Sequence, residues 1–256
     1  IQTEMSILTH DEDRFTLITA SVAQWHDLEW LQKHLAPGLT LVDVSGQNDT
    51  LIVSGPKSRD LFAGITDADL TLPWLSHQKA RVAGMPAEMM RVSFAGELGW
   101  EVHARMADMP AIYRAVLAGG AKSFGMWALN SLRVEKGYRA WKGDLSTDYS
   151  VLEGGLGRFV KLDKPQDFIG KAALQAEFQR GIAKRFVTLV VEAGDCDAPY
   201  MSTLWHGGQV VGETTSGAWG YRVQKSIALG MLRADLAVPG TSVEVEIFGE
   251  RCRAVV

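Results

Sequence analysis

The chain has 256 residues, 46% of them apolar and 22% charged, with a formal net charge of −4, and this length allows one large domain or two moderate ones. Its basic side chains are dispersed, without the stripe that neutralises the phosphates of a duplex, so we expect no nucleic acid among its partners. No run of about 18 apolar residues is present, and we expect no membrane partner either.

The first elements predicted along the chain are a strand and a helix. Apolar and polar residues alternate over 14–21, which is typical of a half-buried strand. A helical repeat of apolar residues follows and is expected to end at Pro37. We assign Trp25 and Trp30 of this helix to the core and not to a surface on which a cofactor stacks.

A mixed series of strands and helices comes next. The patterns predict a hairpin, a short helix, two strands, and a helix that Asp108 caps and two glycines end. In chain order these segments are 39–44 with 50–55, 57–65, 88–94, 100–104 and 109–117. Strands and helices do not alternate steadily, as they would in a doubly wound parallel sheet. The sequence therefore predicts an α+β fold.

The composition changes from about Lys184 onward. Helical periodicity disappears, and short strands separated by Gly and Pro follow one another. The segment 242–248 alternates strictly, which places its apolar residues on one face. We predict a small β-barrel or sandwich there. The predicted domains are 1–182 and 183–256, closely joined by a short charged linker around 177–184.

A glycine turn precedes the first candidate binding residue. The sequence Gly-Glu-Leu-Gly lies between two predicted strands, and Glu101 follows it. Glycines let a backbone approach a flat ligand closely, and a carboxylate on the next strand can accept two hydrogen bonds from an amino-pyrimidine edge. The alternative is an ordinary solvent-facing glutamate on an antiparallel strand.

The second candidate, Arg133, lies on a predicted helix. Its planar guanidinium could pair with Glu101 or Glu153, or could bind a ligand carboxylate. An intrahelical or surface ion pair is the alternative. Arg139 and Asp144 extend this polar set.

Other kinds of site find no support in the sequence. The six histidines show no HExxH pattern and no cysteine partner at ligand spacing, so no metal site is predicted. No GxSxG or GxGxxG pattern is present. The run at 154–157 could admit a ligand or form a tight turn. Cys196 and Cys252 lie far apart, so we expect two free thiols in a reducing compartment.

Several blocks together carry a resemblance to a known family. They read FAGELGWE, ALNSLRVEKGYRAWKGDL, LEGGLGRFVKLDKPQDFIGKAAL and GETTSG. In this order they resemble the glycine-cleavage T-protein (aminomethyltransferase) family, and most closely its branch fused to the carboxyl end of dimethylglycine and sarcosine dehydrogenases. The resemblance extends over essentially the whole chain.

The resemblance implies a tetrahydrofolate-binding α+β protein with a ferredoxin-like subdomain and a carboxyl-terminal small β-barrel. Family members transfer a one-carbon unit from an aminomethyl or iminium donor to folate, which gives 5,10-methylenetetrahydrofolate. The implied partners are a small-molecule amine or methyl donor and either an FAD-containing amine-oxidising domain or a lipoyl carrier protein. The implied location is the cytoplasm or the mitochondrial matrix. The alternative function is a non-catalytic folate-binding or regulatory module of the same fold.

The resemblance also implies roles for four residues. Glu101 would bind the pterin, and Arg133 would belong to the folate site. Phe94 stands where the family commonly has tyrosine, so one hydrogen bond worth about 1 kcal/mol would be missing. Glu4 would replace the catalytic aspartate beside the reacting folate nitrogens. Because the family domain normally begins well upstream of Ile1, we expect part of the folate-binding domain to be missing.

Overall fold

The computed structural model describes all 256 residues, which divide into two compact units. One unit comprises Met5–Asn130, and the other comprises Ile1–Glu4 together with Ser131–Val256. Each unit contains its own cluster of buried apolar side chains. None of the helices combines the length and the apolar character needed to cross a bilayer.

The unit Met5–Asn130 contains a two-stranded ribbon and a four-stranded antiparallel sheet. Its strands are β1 (Met5–Thr9), β2 (Phe15–Thr19), β3 (Asn48–Ser54), β4 (His77–Val82), β5 (Met85–Met90) and β6 (Gly99–Arg105). Its helices are α1 (Gln24–Lys33), α2 (Ser58–Ala63) and α3 (Met109–Ala118). β1 pairs with β2, and the larger sheet has the order β3-β6-β5-β4.

The two faces of the four-stranded sheet differ in polarity. Along β6, Trp100, Val102 and Ala104 alternate into the core that α2 and α3 cover. Trp100 is completely buried and meets Phe62 of α2 edge to face, with 6.0 Å between the ring centroids. Glu101 and His103, which alternate with these residues along β6, therefore lie on the opposite, polar face.

The remaining elements build the second unit around a closed barrel. Helix α4 (Met126–Glu135) begins in the unit Met5–Asn130 and ends in the second unit. The elements wholly within the second unit are α5 (Lys171–Arg180), β7 (Lys184–Val191), β8 (Thr203–His206), β9 (Gln209–Gly220), β10 (Lys225–Arg233), β11 (Ser242–Ile247) and β12 (Glu250–Val255). Around the barrel the strand order is β10-β7-β12-β11-β8-β9. The β7–β12 seam has only two register pairs, whereas β10 and β7 share eight.

The α+β class and the carboxyl-terminal barrel are thus confirmed. The alternating segment becomes β11, whose Val243, Val245 and Ile247 point into the barrel and are at most 6% exposed. The strict alternation was sufficient for this prediction because one face of a barrel strand is always interior.

The hairpin predicted from 39–44 and 50–55 is wrong. Only β3 forms, and it pairs with β6 instead of a sequence neighbour. Residues 39–44 belong to no strand, and Leu39 and Val42 are 62% and 65% exposed. Apolar alternation identified a β-prone segment, but the ladder partner of β3 lies about fifty residues away.

The assignment of Trp25 and Trp30 to the core is also wrong, since they are 75% and 41% exposed. The buried residue of α1 is Asp27, whose carboxylate accepts a hydrogen bond from Thr19 and contacts His26 Nδ1 at 2.9 Å. A polar contact thus defines the inner face of this helix. α1 also ends at Lys33, before Pro37 is reached.

Two smaller differences concern helix ends. Asp108 occupies the N-cap position of α3, but its side chain makes no capping hydrogen bond. α5 continues to Arg180, so the first part of the predicted linker is helical and only 181–183 separate α5 from β7.

Candidate functional site

The connection 91–98, which contains a turn, leads from β5 into β6 and sets the position of Glu101. Gly96 has a φ of +74°, which favours glycine. A Cβ on Gly99 would lie 2.7 Å from the Cβ of Ser93, so no side chain fits there without displacement. Arg91 Nη1 donates to the carbonyl of Gly99 at 3.0 Å. These contacts fix the start of the strand that carries Glu101.

Glu101 lies on the polar face of the sheet with its carboxylate unused by hydrogen bonds. It is opposite Ile52 on β3 and Met90 on β5. Its Oε2 is 3.3 Å from Nε2 of His103, an ion-pair distance that lacks hydrogen-bond geometry. Thr50 Oγ1 holds the other ring nitrogen of His103 at 3.0 Å. The side chain of Glu101 is 21% exposed, so both oxygens remain able to accept hydrogen bonds.

Phe94 and Glu97 lie in the turn itself, and both are half-buried. The turn thus carries Phe94 and Glu97, and β6 carries Glu101, all in the unit Met5–Asn130.

A separate groove of about 880 Å³ lies in the same unit. It is formed by β3, α2, α3 and the segment 119–126, with Tyr113 and Leu117 among its lining residues. Neither Glu101 nor Phe94 lines it. The groove therefore does not coincide with the carboxylate selected from the sequence.

Arg133 forms a buried ion pair in the barrel-containing unit. Its Nη1 contacts Asp144, and the two residues are 5% and 0% exposed. Nη1 also donates to the Tyr138 carbonyl at 3.1 Å, and Nη2 donates to Ser216 Oγ at 2.8 Å. The ion-pair partner of Arg133 is therefore Asp144, which the sequence placed in the same polar set, and not Glu101 or Glu153 as predicted.

The GETTSG motif on β9 completes this buried network. Thr215 Oγ1 and Ser216 Oγ donate to Asp144 Oδ1 at 2.5 and 2.9 Å. The motif's glycines serve close packing, because a Cβ on Gly212 or Gly217 would overlap a backbone carbonyl oxygen. The motif thus joins β9 to the segment that contains Asp144.

Glu153 has a local structural role. Its Oε2 accepts from Ser150 N at 3.1 Å, and its own N–H donates to Ser150 Oγ at 3.0 Å, which is a capping box. Oε1 accepts from the backbone N–H of Lys184 at 3.2 Å, at the start of β7. Glu153 therefore secures the approach to the barrel.

The glycine run at 154–157 forms a tight turn packed against Arg139. Gly155 has a φ of +69°, and a Cβ there would lie 2.7 Å from Nη2 of Arg139. The guanidinium stacks over the Phe186 ring at 4.1 Å from its centroid. Burial lowers the pKa of Arg139. Of the two interpretations of the run, the turn agrees with this geometry.

Glu4 belongs to the same unit as the barrel. Its side chain reaches solvent, yet the protein atoms around its carboxyl group raise its pKa through desolvation. Because water still reaches the group, solvent screens much of this penalty.

One cluster was not anticipated from the sequence. His10, His77 and Glu88 each offer a ligand atom, and these atoms lie within 4.8 Å of one another. No short motif joins them, since the two histidines are far apart in sequence. Only the pairing of β4 with β5 would have indicated that His77 and Glu88 are neighbours.

Comparison with known domain families finds two consecutive matches. Residues 1–164 match the family described as GCVT N-terminal domain. Residues 184–256 match the glycine cleavage T-protein C-terminal barrel domain.

Similar proteins fall into two groups. The chain is 36% identical over 266 residues to mitochondrial dimethylglycine dehydrogenase of Homo sapiens, covering 100% of the chain and 31% of that protein. It is 40% identical over 202 residues to mitochondrial sarcosine dehydrogenase of Mus musculus, covering 75% of the chain and 22% of that protein. The aminomethyltransferase of Shouchella clausii is 30% identical over 258 residues, covering 98% of the chain and 70% of that protein.

A solved structure has the same fold. The crystal structure of glycine cleavage system aminomethyltransferase T from Bartonella henselae superposes with a TM-score of 0.88 at 22% identity, covering 100% of the chain and 71% of that protein. The chain spans less than a third of the length of the dimethylglycine dehydrogenases that it matches.

Proposed function

Because the chain belongs to the glycine cleavage T-protein family, we propose that it binds tetrahydrofolate and takes part in one-carbon transfer. The carbon would come from an aminomethyl or iminium donor. It would form bonds to N5 and N10 of tetrahydrofolate, with 5,10-methylenetetrahydrofolate as product. The protons of N5 and N10 would pass to the leaving groups, which are the amine alone for an iminium donor and the amine together with the carbon's other substituent for an aminomethyl donor. Residues 1–182 would form the folate-binding domain and 183–256 the barrel domain.

The state of the Glu101 carboxylate carries this proposal. An amino-pyrimidine edge presents parallel N–H donors, and the two oxygens of Glu101 accept no hydrogen bond from the protein. Each charge-assisted hydrogen bond contributes about 1.5–3 kcal/mol. The turn before β6 fixes the backbone at the start of this strand without ligand, so little backbone ordering would be required on binding.

The other residues have different roles in this proposal. Phe94 would offer its ring to the pterin without the hydroxyl that a tyrosine adds. Arg133 is a positioning residue, because its guanidinium is bonded to Asp144, Ser216 and the Tyr138 carbonyl. It would support the folate site by holding the end of α4 against β9.

Replacing Glu101 with glutamine is expected to weaken tetrahydrofolate binding at least tenfold, about 1.4 kcal/mol. The amide loses the charge and turns one acceptor into a donor that faces the ligand's donors. Quenching of the fluorescence of the eight tryptophans measures the dissociation constant.

Glu97→Gln is the matched control, since it changes the same charge four residues earlier. Its affinity should stay within about twofold of the original chain. If both variants lose the same affinity for tetrahydrofolate, the change in net charge is the cause and the position of Glu101 is not. Saturable binding untouched by Glu101→Gln would remove Glu101 from the site.

Replacing Glu4 with glutamine is expected to lower the rate of methylenetetrahydrofolate formation about 100-fold while folate affinity is retained, because a carboxylate near the reacting nitrogens accepts a proton or stabilises positive charge. Steady-state kinetics with an aminomethyl donor measures this. If the original chain binds folate and supports no transfer, the non-catalytic binding or regulatory function is the correct one.

The same variant has an opposite effect on stability. The pKa of Glu4 is raised in the folded chain, so its ionisation destabilises the fold as pH rises from below its ordinary value of 4.5 through the raised value. Glu4→Gln should therefore melt slightly higher at neutral pH, and the difference should vanish in acid. A lower melting temperature at neutral pH would contradict this.

A further inference from the structure

The cluster of His10, His77 and Glu88 lies outside the residues assigned to folate. His10 follows β1, His77 begins β4, and Glu88 lies on β5. Nδ1 of His77 is 2.5 Å from Glu88 Oε1, and Nδ1 of His10 is 4.0 Å from Glu88 Oε2. The imidazole rings meet edge to face at 5.4 Å. Two imidazoles and one carboxylate thus converge on one point.

The outer nitrogens of both rings are held by protein groups. Nε2 of His77 is 3.1 Å from the carbonyl oxygen of Thr9, which can only accept, so Nε2 carries a proton. Nε2 of His10 is 2.8 Å from Thr16 Oγ1. Outer hydrogen bonds of this kind orient metal-binding histidines and fix their tautomer. Both Nδ1 atoms are thereby directed inward.

The short contact between His77 and Glu88 requires a proton or a cation between the two side chains. A neutral His77 ring with its proton on Nε2 would direct the Nδ1 lone pair at a carboxylate oxygen 2.5 Å away. Lys79 lies directly opposite Glu88 on β4, but it forms no ion pair with it. Either a proton shared by His77 and Glu88 or a bound cation must lie between these two atoms.

We propose that His10, His77 and Glu88 bind a divalent transition-metal ion, with Zn²⁺ as the best fit. Imidazole and carboxylate ligands suit this ion, and three protein ligands with one open position are a common arrangement. Tetrahedral ligands about 2.0–2.1 Å from zinc lie about 3.3 Å apart. The separations of 2.5 and 4.0 Å lie on either side of that value, and all three ligand atoms lie within 4.8 Å of one another, so binding would require side-chain rotations that equalise these distances.

The accessibility of the ligands agrees with such a site. The side chains of His10, Glu88 and His77 are 11%, 16% and 22% exposed, so an ion can enter and keep a water. The bound ion would connect the turn after β1 to the β4–β5 hairpin. It would therefore act as a clip inside the unit Met5–Asn130.

Equilibrium dialysis of the 256-residue chain against Zn²⁺ tests the site. We expect one equivalent to bind and the melting temperature to rise with Zn²⁺ concentration. His77→Ala should weaken binding more than about 100-fold, and Thr16→Val about tenfold through the loss of the bond to His10. His34→Ala is the control, because His34 is exposed and bonds only within its own helix.

Co²⁺ provides a second measurement, since its visible absorption reports tetrahedral coordination by nitrogen and oxygen. Circular dichroism shows whether each variant is folded. If His77→Ala is unfolded, the conservative Thr16→Val still tests the site through its expected loss of zinc affinity. Absence of stoichiometric binding, or equal binding by His77→Ala and His34→Ala, would overturn the proposal. The cluster would then be a hydrogen-bonded histidine–glutamate pair only.

Discussion

Replacing Asp144 with asparagine is expected to lower the free energy of unfolding of the barrel-containing unit by about 3–5 kcal/mol. The change leaves the Arg133 charge buried without its counter-ion, since Asp144 is completely inaccessible to solvent. The new amide group would also face the backbone N–H of Ala140, which now donates to Oδ2 at 2.7 Å. Urea unfolding, fitted with two transitions if the units unfold separately, measures the loss.

The exposed pair between Arg233 and Asp235 provides the control. Its Nε–Oδ1 distance is 2.7 Å, but the side chains are 45% and 63% exposed. Asp235→Asn should produce no resolvable loss, because solvent screens the pair. Replacing Arg133 and Asp144 together with apolar residues should recover only part of the stability, because the Ala140 N–H and the Tyr138 carbonyl lose their partners. A small effect of Asp144→Asn alone would mean that water reaches the pair.

Replacing Gly217 with alanine is expected to destabilise the barrel by about 3 kcal/mol, near the upper end for overpacking. The added methyl group would overlap the carbonyl oxygen of Ala198, and a backbone atom cannot turn aside as a side chain can. The hydroxyl of Ser216, adjacent in the chain, would move with the strand and strain its bond to Asp144. Thermal and urea unfolding measure this loss.

Gly194→Ala is the corresponding control in the same unit. No atom lies within 4 Å of a Cβ at Gly194, so the change should be close to neutral. A neutral Gly217→Ala would show that β9 can move away from the Ala198 segment. The glycines of the GETTSG motif would then need another explanation.

The local elements with strong periodicity were predictable from the sequence. Strict alternation identified the interior residues of β11, because a barrel strand has one interior face. The helical repeat behind Asp108 likewise identified α3, whose Ile112 and Val116 are buried. Glu101 could be selected because its signal, a glycine turn followed by a strand, is contained in a few consecutive residues.

The contacts that depend on distant segments were not predictable in this way. Asp144 meets Thr215 and Ser216 more than seventy residues away, and no local pattern marks such a pair. The same holds for His10 and His77, which come together only through packing between the β1–β2 ribbon and the sheet. The prediction for Trp25 was wrong because a helical repeat shows which residues share a face but not which face packs against the protein. In α1 the buried face is the one that carries Asp27.

Two narrow joins, one on each side of the β11–β12 hairpin, make the hydrogen bonding around the barrel uneven. β12 meets β7 in two register pairs and β11 meets β8 in two, against eight between β7 and β10. Local opening of a folded protein begins where the fewest hydrogen bonds must break together. We therefore expect thermal opening of the barrel to release the β11–β12 hairpin as a unit, with its own six pairs intact, and slow amide exchange to be concentrated in β10, which is bonded along its length on both sides.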